Sequence, residues 1–315
     1  MHIDLARERK AHWMSLARDL LPTAEAAPRG TPVAFGLAVR SGGEFVLAVR
    51  YRDEAECADL LGQVAEGDAD ADIRHIGQVY AQSQPPDPAE RLRTRVRPLR
   101  PGLSIANANV TAGTLGAFVT DADDVRYGLS NWHVLAGSTS TAAGDPVLQP
   151  GPYDGGTAAD EIGTLDRTAP LDPAGTNTVD AALCLLDEPQ VDAIYPIGTV
   201  TRTAPAEGGE QVAKIGRTTG TTAGHVTAVE LDGVRVGYGE ELGELTFDNQ
   251  IEVEGEAGAF SAGGDSGSLV YTDDAVAIGL LFAGSQTGGP DGTGLTFVNP
   301  IDDVLRALEV RLLQP

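Results

Sequence analysis

Residues 263–270 read Gly263-Gly264-Asp265-Ser266-Gly267-Ser268-Leu269-Val270, with a serine flanked by glycines and followed by an apolar run. Glycine tolerates backbone turns that other residues avoid, so this pattern predicts a serine on a tight turn that enters a β-strand. The same glycines allow a carbonyl group to come close to main-chain N–H groups. The segment therefore predicts Ser266 as a nucleophile and the N–H groups of Gly264 and Ser266 as its oxyanion hole.

Two upstream segments supply the groups that a serine nucleophile needs. The first is Ser130-Asn131-Trp132-His133-Val134, in which His133 offers a base for a hydroxyl that is unreactive by itself at neutral pH. The second is Val179-Asp180-Ala181-Ala182-Leu183-Cys184-Leu185-Leu186, with one acid at the start of an apolar strand. The order of the three residues predicts a triad, in which His133 is general base and then general acid. Asp180 would hold the histidine in the right tautomer and stabilise its charged form.

Other assignments fit the sequence less well. Asp180 is favoured because an apolar strand follows it directly, which is not so for the nearby Asp160, Asp172 and Asp187. An α/β-hydrolase places its serine before its histidine and a glycine two residues after the serine, where this chain has Ser268. The histidines lack the paired spacing of metal ligands, and His225 lies in a Thr/Val-rich strand that predicts a structural role. No metal and no cofactor are predicted.

At the triad segments the chain resembles the chymotrypsin-fold (trypsin-like) serine peptidases. It also resembles, over about residues 96–312, the intracellular bacterial family related to the plant narrow-leaf type protease. The segments that carry this second resemblance are Pro101-Gly102-Leu103-Ser104-Ile105, Thr114-Leu115-Gly116, Gln149-Pro150-Gly151-Pro152-Tyr153-Asp154-Gly155-Gly156 and Lys214-Ile215-Gly216-Arg217-Thr218-Thr219-Gly220. The resemblance implies a mainly β fold, a double six-stranded antiparallel β-barrel with a C-terminal helix. It also implies an intracellular serine endopeptidase that works through an acyl-enzyme intermediate.

The resemblance also implies where a substrate would bind. The residue six positions before the serine, Phe260, would form the floor of the primary pocket, and Phe282, Ala283 and Gly284 would form its wall. The backbone of these three residues would pair with an extended substrate strand. No acid occupies the floor position, so we expect an apolar or small residue before the scissile bond. Arg217 is expected to stabilise a turn rather than to contact substrate.

One feature departs from the resemblance. Secreted trypsins are activated when a new N-terminus pairs with the aspartate before the serine, here Asp265. About 100 residues precede the expected barrel, and no Ile-Val-Gly-Gly cleavage site is visible. Asp265 is therefore expected to have another partner, and control by the N-terminal unit, by a partner protein or by homo-oligomerisation is expected instead.

Composition and charge limit the partners and the compartment. The formal net charge is −24, which disfavours nucleic acid and anionic membranes as partners and leaves a protein or peptide substrate. Two cysteines, Cys57 and Cys184, are too few for a disulfide framework and favour a reducing compartment. Residues 1–21 lack the apolar core of a signal peptide, and no segment is apolar for long enough to cross a membrane. A cytoplasmic location is predicted.

Four parts follow one another along the chain. Residues 1–22 predict an amphipathic helix that ends at a proline, and residues 30–82 predict a small α+β unit of β-β-α-β order. Within this unit, two apolar strands flank Ser41-Gly42-Gly43, residues 53–64 predict a helix and residues 73–80 predict a third strand. Residues 83–101 predict a proline-rich linker. Residues 102–315 show short strands separated by turns and close with a helix at residues 300–308, which predicts the peptidase domain.

Two other functions remain open on the sequence. A latent or non-catalytic binding module would keep the barrel and hold a partner through its cleft or its N-terminal unit. Hydrolysis of a non-peptide ester or amide would use the same triad. Reaction with a covalent serine-directed probe distinguishes the first of these from an enzyme.

Overall fold

A computed structural model describes residues 1–20, 32–40, 43–77, 79–80, 89–188, 190–285, 287–289 and 292–314. The helices are α1 (Ile3–Leu20), α2 (Ala58–Gly67), α3 (Trp132–Leu135), α4 (Gly239–Leu242) and α5 (Ile301–Ala307). The first strands are β1 (Val33–Arg40), β2 (Glu44–Tyr51), β3 (Asp72–His75) and β4 (Val79–Tyr80). Those that follow are β5 (Ser104–Asn107), β6 (Gly113–Thr114), β7 (Ala117–Thr120), β8 (Arg126–Ser130), β9 (Pro146–Leu148), β10 (Glu161–Thr168), β11 (Thr176–Asn177) and β12 (Ala182–Leu186). The remaining strands are β13 (Ile194–Tyr195), β14 (Gly198–Thr199), β15 (Arg202–Thr203), β16 (Gln211–Gly216), β17 (Gly220–Asp232), β18 (Val234–Gly237), β19 (Glu244–Phe247), β20 (Gln250–Gly255), β21 (Leu269–Thr272), β22 (Val276–Ser285), β23 (Thr296–Pro300) and β24 (Arg311–Leu312).

Six of these strands close into an antiparallel barrel. Strands β16, β17, β20, β23, β22 and β21 each pair with the next, and β21 pairs back with β16. Each of the six strands pairs with two others over part of its length, and the inward side chains form a core that is almost entirely aliphatic. Its fully buried members include Val212, Val226, Val253, Val270, Ile278 and Val298.

An eight-stranded antiparallel sheet accompanies the closed barrel. Its order is β24-β7-β8-β12-β10-β9-β5-β6, which makes a curved half-barrel. The chain returns to it at the end, because α5 packs against β22 and β23 of the closed barrel and β24 then pairs with β7. The predicted mainly β, double-barrel architecture with its C-terminal helix is confirmed, with one barrel closed and the other open.

The N-terminal strands extend the closed barrel. β1 and β2 form the predicted hairpin, whose turn residues 41–42 lie outside the described part of the chain. β1 also pairs antiparallel with β17, which adds β1, β2 and β3 to the barrel's sheet. Helix α1 covers this extension, since Trp13 and Ala17 pack on the same apolar cluster as Phe35 and Leu47.

The third strand predicted at residues 73–80 is two short strands with different partners. β3 runs parallel to β2, whereas β4 pairs with β22. Between them Gly77 has a φ of +64°, a conformation that ends an extended strand and that glycine adopts without strain. The helix predicted at residues 53–64 begins later, at Ala58, after a short 3₁₀ turn at Glu54–Glu56.

A buried ion cluster fastens this extension to the barrel. Arg50 is fully buried and donates from Nε to Glu252 Oε2 at 2.7 Å and from Nη2 to Asp72 Oδ2 at 2.8 Å. Thr227 Oγ1 donates to Glu252 Oε1 at 2.7 Å. The cluster joins β2, β3, β17 and β20.

Some residues of the predicted parts lie outside the described part of the chain. They include residues 83–88 of the predicted linker, residues 21–22 of the predicted N-terminal helix and residues 30–31 of the predicted α+β unit.

None of the helices in the described part of the chain has the length and the apolar composition needed to cross a membrane.

Candidate active site

His133 and Asp180 meet at the end of the half-barrel. His133 lies on α3, directly after β8, and Asp180 directly precedes β12, which pairs with β8. His133 Nδ1 and Asp180 Oδ2 are 2.5 Å apart, and the Asp180 side chain is fully buried. The bond leaves Nε2 as the ring atom available to accept a proton.

The backbone of the α3 segment also holds the Asp180 carboxylate. Trp132 N donates to Asp180 Oδ1 at 2.6 Å, and His133 N lies 3.3 Å from the same oxygen. The Asp180 N–H in turn donates to Asn299 Oδ1 at 2.9 Å, and Asn131 Nδ2 donates to the Asp180 carbonyl at 2.6 Å. The α3 backbone thus holds the carboxylate, and the two asparagines hold the Asp180 backbone from the closed barrel and the half-barrel.

Tyr238, at the end of β18, completes the set of donors around Asp180. Its hydroxyl donates to Asp180 Oδ2 at 2.5 Å, and its ring meets the His133 ring edge-on with centroids 6.0 Å apart. Burial of the hydroxyl, together with the adjacent Asp180 carboxylate, raises the pKa of Tyr238 well above its ordinary value. The tyrosine therefore stays a neutral donor throughout the range in which a histidine titrates.

Ser266 lies on a tight turn before β21, as its sequence predicts. Gly264 and Gly267 on either side have φ values of +92° and +95°, which only glycine adopts readily. Ser266 Oγ donates to the carbonyl oxygen of Phe282 at 3.4 Å. Among the described residues, His133 Nε2 has no hydrogen-bond partner, so the Ser266 hydroxyl does not bond to His133 in this structure.

The same turn presents two backbone donors. Within the described residues, the N–H groups of Gly264 and Ser266 donate to no protein acceptor, whereas Asp265 N donates to Ala262 O at 3.0 Å and Gly267 N to Leu281 O at 2.8 Å. A side chain at position 264 would collide with Arg217 and Thr218. The turn thus has the backbone arrangement from which an oxyanion hole is made.

A lysine supplies the partner that Asp265 was expected to need. Lys214 Nζ and Asp265 Oδ2 are 3.3 Å apart, and both side chains are fully buried. The N–H groups of Thr218, Thr219 and Ala262 also donate to the Asp265 carboxylate, at 2.8, 3.1 and 3.0 Å. Burial lowers the pKa of Lys214, and the Asp265 carboxylate opposes that shift. The pair fixes the base of the nucleophile turn without any new N-terminus.

Thr114 joins the turn to the half-barrel. Its N–H donates to Ser266 O at 2.8 Å, and its hydroxyl donates to Gly264 O at 2.8 Å. Position 113 beside it is tightly packed, since a Cβ there would meet both Val134 of α3 and Ser266 O. The histidine-bearing helix and the serine-bearing turn are therefore neighbours across the cleft.

Arg217 makes a second connection of this kind. Its guanidinium forms a bidentate pair with Asp154 at 2.5 and 2.7 Å and lies over the Tyr153 ring at 5.2 Å. The side chain is almost fully buried, and it ties the segment after β16 to the 3₁₀ turn that carries Asp154.

The predicted substrate-binding residues lie on the closed barrel, but not all of them are accessible to a substrate. Phe260 is only 2% exposed and its ring belongs to the barrel core, so it offers no open surface to a substrate. The polar side chain that follows it, Ser261, bonds to Thr296 at 2.7 Å between their hydroxyl oxygens. Phe282, Ala283 and Gly284 lie on β22. The first two have buried side chains and the glycine has none, so only their backbone is available to pair with another strand.

Neither metal ligands nor reactive thiols accompany this site in the described part of the chain. No group of three or more histidine, cysteine or acidic side chains there is arranged to hold a metal ion. Cys57 and Cys184 are both free and buried, and burial raises the pKa of Cys57 to about 11. Such thiols are unreactive at neutral pH.

The comparisons with known proteins find similar structures only. No protein-family model matches the chain, and no curated protein matches it. Similar solved structures include Thermobifida fusca Protease A (22% identity, TM-score 0.47, 69% of this chain and 99% of that one) and Nocardiopsis protease (21% identity, TM-score 0.48, 69% and 99%). Another is a serine protease described as glutamic acid specific (25% identity, TM-score 0.49, 68% and 100%).

The strand topology itself decides the fold class. One sheet closes into a six-stranded ring, the other forms a half-barrel, and the chain crosses between them before α5. This is the chymotrypsin fold. His133 follows β8 of the half-barrel, and Ser266 precedes β21 of the closed barrel.

Sequence reasoning missed several residues that shape the site. Tyr238 follows a short strand in a Gly-Tyr-Gly context that carries no signature, and Asn299 acts from a distant strand. Asp154 and Lys214 lie inside two of the motifs that carry the family resemblance, but no local signal indicates their roles. Their roles depend on contacts between residues that are distant in the chain, which no local pattern encodes.

Proposed function

We propose that this chain is a serine endopeptidase that hydrolyses peptide bonds with Ser266, His133 and Asp180. The observation that carries the proposal is the buried His133–Asp180 pair with a free Nε2, next to a glycine-flanked serine whose turn has two unused N–H donors. These are the parts that acyl transfer to a serine requires.

The proposed reaction has two halves. Ser266 Oγ attacks the substrate carbonyl carbon while His133 Nε2 takes its proton, and the N–H groups of Gly264 and Ser266 stabilise the resulting oxyanion. The histidine then gives the proton to the departing amine as the C–N bond breaks. A water molecule then attacks the acyl carbon while His133 Nε2 takes its proton. The bond between that carbon and Ser266 Oγ breaks, the acid product leaves, and the histidine gives the proton to Ser266 Oγ. Before the first step the Ser266 side chain must rotate from Phe282 O towards His133.

Two finer points belong to the same proposal. The chain would be a member of the intracellular bacterial family related to the plant narrow-leaf type protease and would act on a restricted set of proteins in the cytoplasm. The quoted motifs and the two buried free thiols support this reading. The arrangement also supports ester cleavage, which the experiment below tests separately.

The test is labelling by a fluorophosphonate probe, which phosphonylates an activated serine. We expect the wild-type chain to be labelled and both Ser266→Ala and His133→Ala to be unlabelled. Ser15→Ala is the control, because it removes an exposed serine hydroxyl on α1 and leaves every hydrogen bond of the Ser266 turn unchanged. A folded wild-type chain that is never labelled would refute the proposal. A labelled chain that cleaves esters but no peptide in a library would assign the triad to non-peptide substrates.

A further inference from the structure

One edge of β22 runs past the nucleophile turn. β21 pairs with this edge up to Leu280. The turn continues the pairing, since Leu281 N donates to Ser268 O at 2.9 Å. One residue further, the Phe282 carbonyl accepts the bond from Ser266 Oγ. The edge of β22 beyond Phe282 is therefore the surface that leads directly to the nucleophile.

A strand of the N-terminal extension occupies that surface. In β4, Tyr80 pairs antiparallel with Gly284, and Val79 with Ser285. Gly284 also pairs with Thr296 of β23, so β4 lies on the opposite edge from β23, the edge that carries the nucleophile turn. This is the backbone that the sequence predicts to pair with an extended substrate.

The direction of β4 is the direction a substrate would need. Because the pairing is antiparallel, the chain direction from Val79 to Tyr80 runs from Ser285 towards Phe282. A peptide bound in this register would come level with Phe282 two residues later, about 7 Å along the strand. Its carbonyl would then lie beside Ser266, with the peptide's N-terminal side on β22. A peptide and β4 cannot use this edge at the same time.

Contacts on both sides hold β4 in place. The Val79 side chain is 2% exposed and packs in the same apolar cluster as Phe282 and Ala283. Tyr80 also pairs with Gly237 of β18, so β4 bridges two strands of the closed barrel's sheet. Upstream, the segment is tightly packed at Gly77, where a Cβ would collide with Thr287.

We propose that β4 inhibits the enzyme in cis by filling the strand position of an extended substrate on β22. The inference rests on the proposed function and adds its regulation and substrate class. Substrates are polypeptides that bind as an extended strand, and they gain access when β4 leaves the edge. Small reagents that need no strand pairing reach Ser266 whether β4 is bound or not. The unpaired His133 Nε2 and the rotated Ser266 hydroxyl accord with a resting enzyme.

The test compares two readouts on the full chain and on variants of Val79. Val79→Asp places a carboxylate in an apolar cluster, and Val79→Pro removes an N–H from the strand, so each weakens β4 by a different route. Val79→Ile is the matched control that keeps both properties. The readouts are labelling by a small fluorophosphonate and hydrolysis of a quenched-fluorescent octapeptide library.

We expect equal labelling throughout and at least about a tenfold higher kcat/KM on the peptides for Val79→Asp and Val79→Pro, with Val79→Ile unchanged. The apparent affinity for a peptide is proportional to the fraction of molecules in which the β22 edge is open. A variant that releases β4 raises this fraction and therefore raises kcat/KM. Equal labelling with equal peptide hydrolysis would overturn the inference and leave the proposed function standing. Absence of labelling in every folded variant would instead remove the proposed function.

A measurement on the wild-type chain covers the case in which the variants do not fold. Hydrogen exchange is followed over residues 72–80 with and without saturating tetrapeptide aldehydes, which bind a catalytic serine through an extended strand. Faster exchange in this segment on binding, with a small fluorophosphonate causing none, supports displacement of β4. Binding of the aldehydes with unchanged exchange there contradicts it.

Discussion

Two buried carboxylates, Asp180 and Asp265, have different partners. Asp180 is bound by an imidazole, a tyrosine hydroxyl and the α3 backbone, whereas Asp265 is bound by an ammonium group and three backbone N–H groups. Both are fully buried. An imidazole changes its charge near neutral pH and an ammonium ordinarily does not. The first pair is therefore suited to move a proton and the second to hold a backbone in shape.

The largest expected effect comes from breaking the first pair. Asp180→Asn keeps the size of the side chain but favours the wrong histidine tautomer, and we expect kcat to fall by about 10⁴-fold. The loss of unfolding free energy should be much smaller than the loss of transition-state stabilisation that this fall in kcat represents. Asp187→Asn, at an exposed aspartate near the same strand, is the control and should keep full activity. A loss of less than about tenfold in Asp180→Asn, measured as steady-state kcat on a peptide, would contradict the assigned role.

Breaking the second pair should act on stability first. Lys214→Met leaves Asp265 buried without its cation, which typically costs about 3–5 kcal/mol of unfolding free energy. Chemical denaturation measures it. The double variant Lys214→Met/Asp265→Asn should recover part of the loss, because no uncompensated charge remains. If the single variant lost less than about 1 kcal/mol, the ion pair would not be what holds the turn.

A smaller change tests how much the Tyr238 hydroxyl contributes to holding Asp180 in place beside His133. Tyr238→Phe removes one donor to Asp180 and keeps the ring, and we expect kcat to fall by about tenfold to a hundredfold, since a bond to a charged group contributes about 1.5–3 kcal/mol. Tyr195→Phe is the matched control, because its buried hydroxyl bonds to Gly116 O at 2.8 Å away from the triad. Equal kcat losses in the two variants would point to general destabilisation.

The smallest expected effect is a dependence of stability on alkaline pH. Because burial and Asp180 raise the pKa of Tyr238, this residue keeps its proton in the folded state after it ionises in the unfolded state. Its contribution is complete below the unfolded pKa of about 10 and declines as pH rises above it, by about 0.8 kcal/mol at pH 10.5. The difference in urea midpoint between pH 8 and pH 10.5 should therefore be smaller in Tyr238→Phe than in wild type. An identical difference in both would exclude the effect.

The local parts of the site were predictable because local sequence encodes them. The glycines around Ser266 prescribe its turn, and an apolar strand after Asp180 sets that residue at a strand end. Phe260 shows the limit of the same reasoning, since counting back from the serine does not tell whether a ring faces a cleft or the barrel core. The third N-terminal strand was also predicted as one element, because an alternating pattern does not reveal that Gly77 splits it between two partners.

Local sequence indicated an all-β region of short strands and the order of His133, Asp180 and Ser266, because glycine turns and apolar strands are local properties of the chain; the double-barrel class was implied by the family resemblance at those segments. Tertiary structure decided the partners: Lys214 for Asp265, Tyr238 for Asp180, and β4 for the free edge of β22. Each of these contacts joins residues that are distant in the chain or that belong to different strands. Such pairings depend on how the sheets close in space, and periodicity along a single strand carries no record of them.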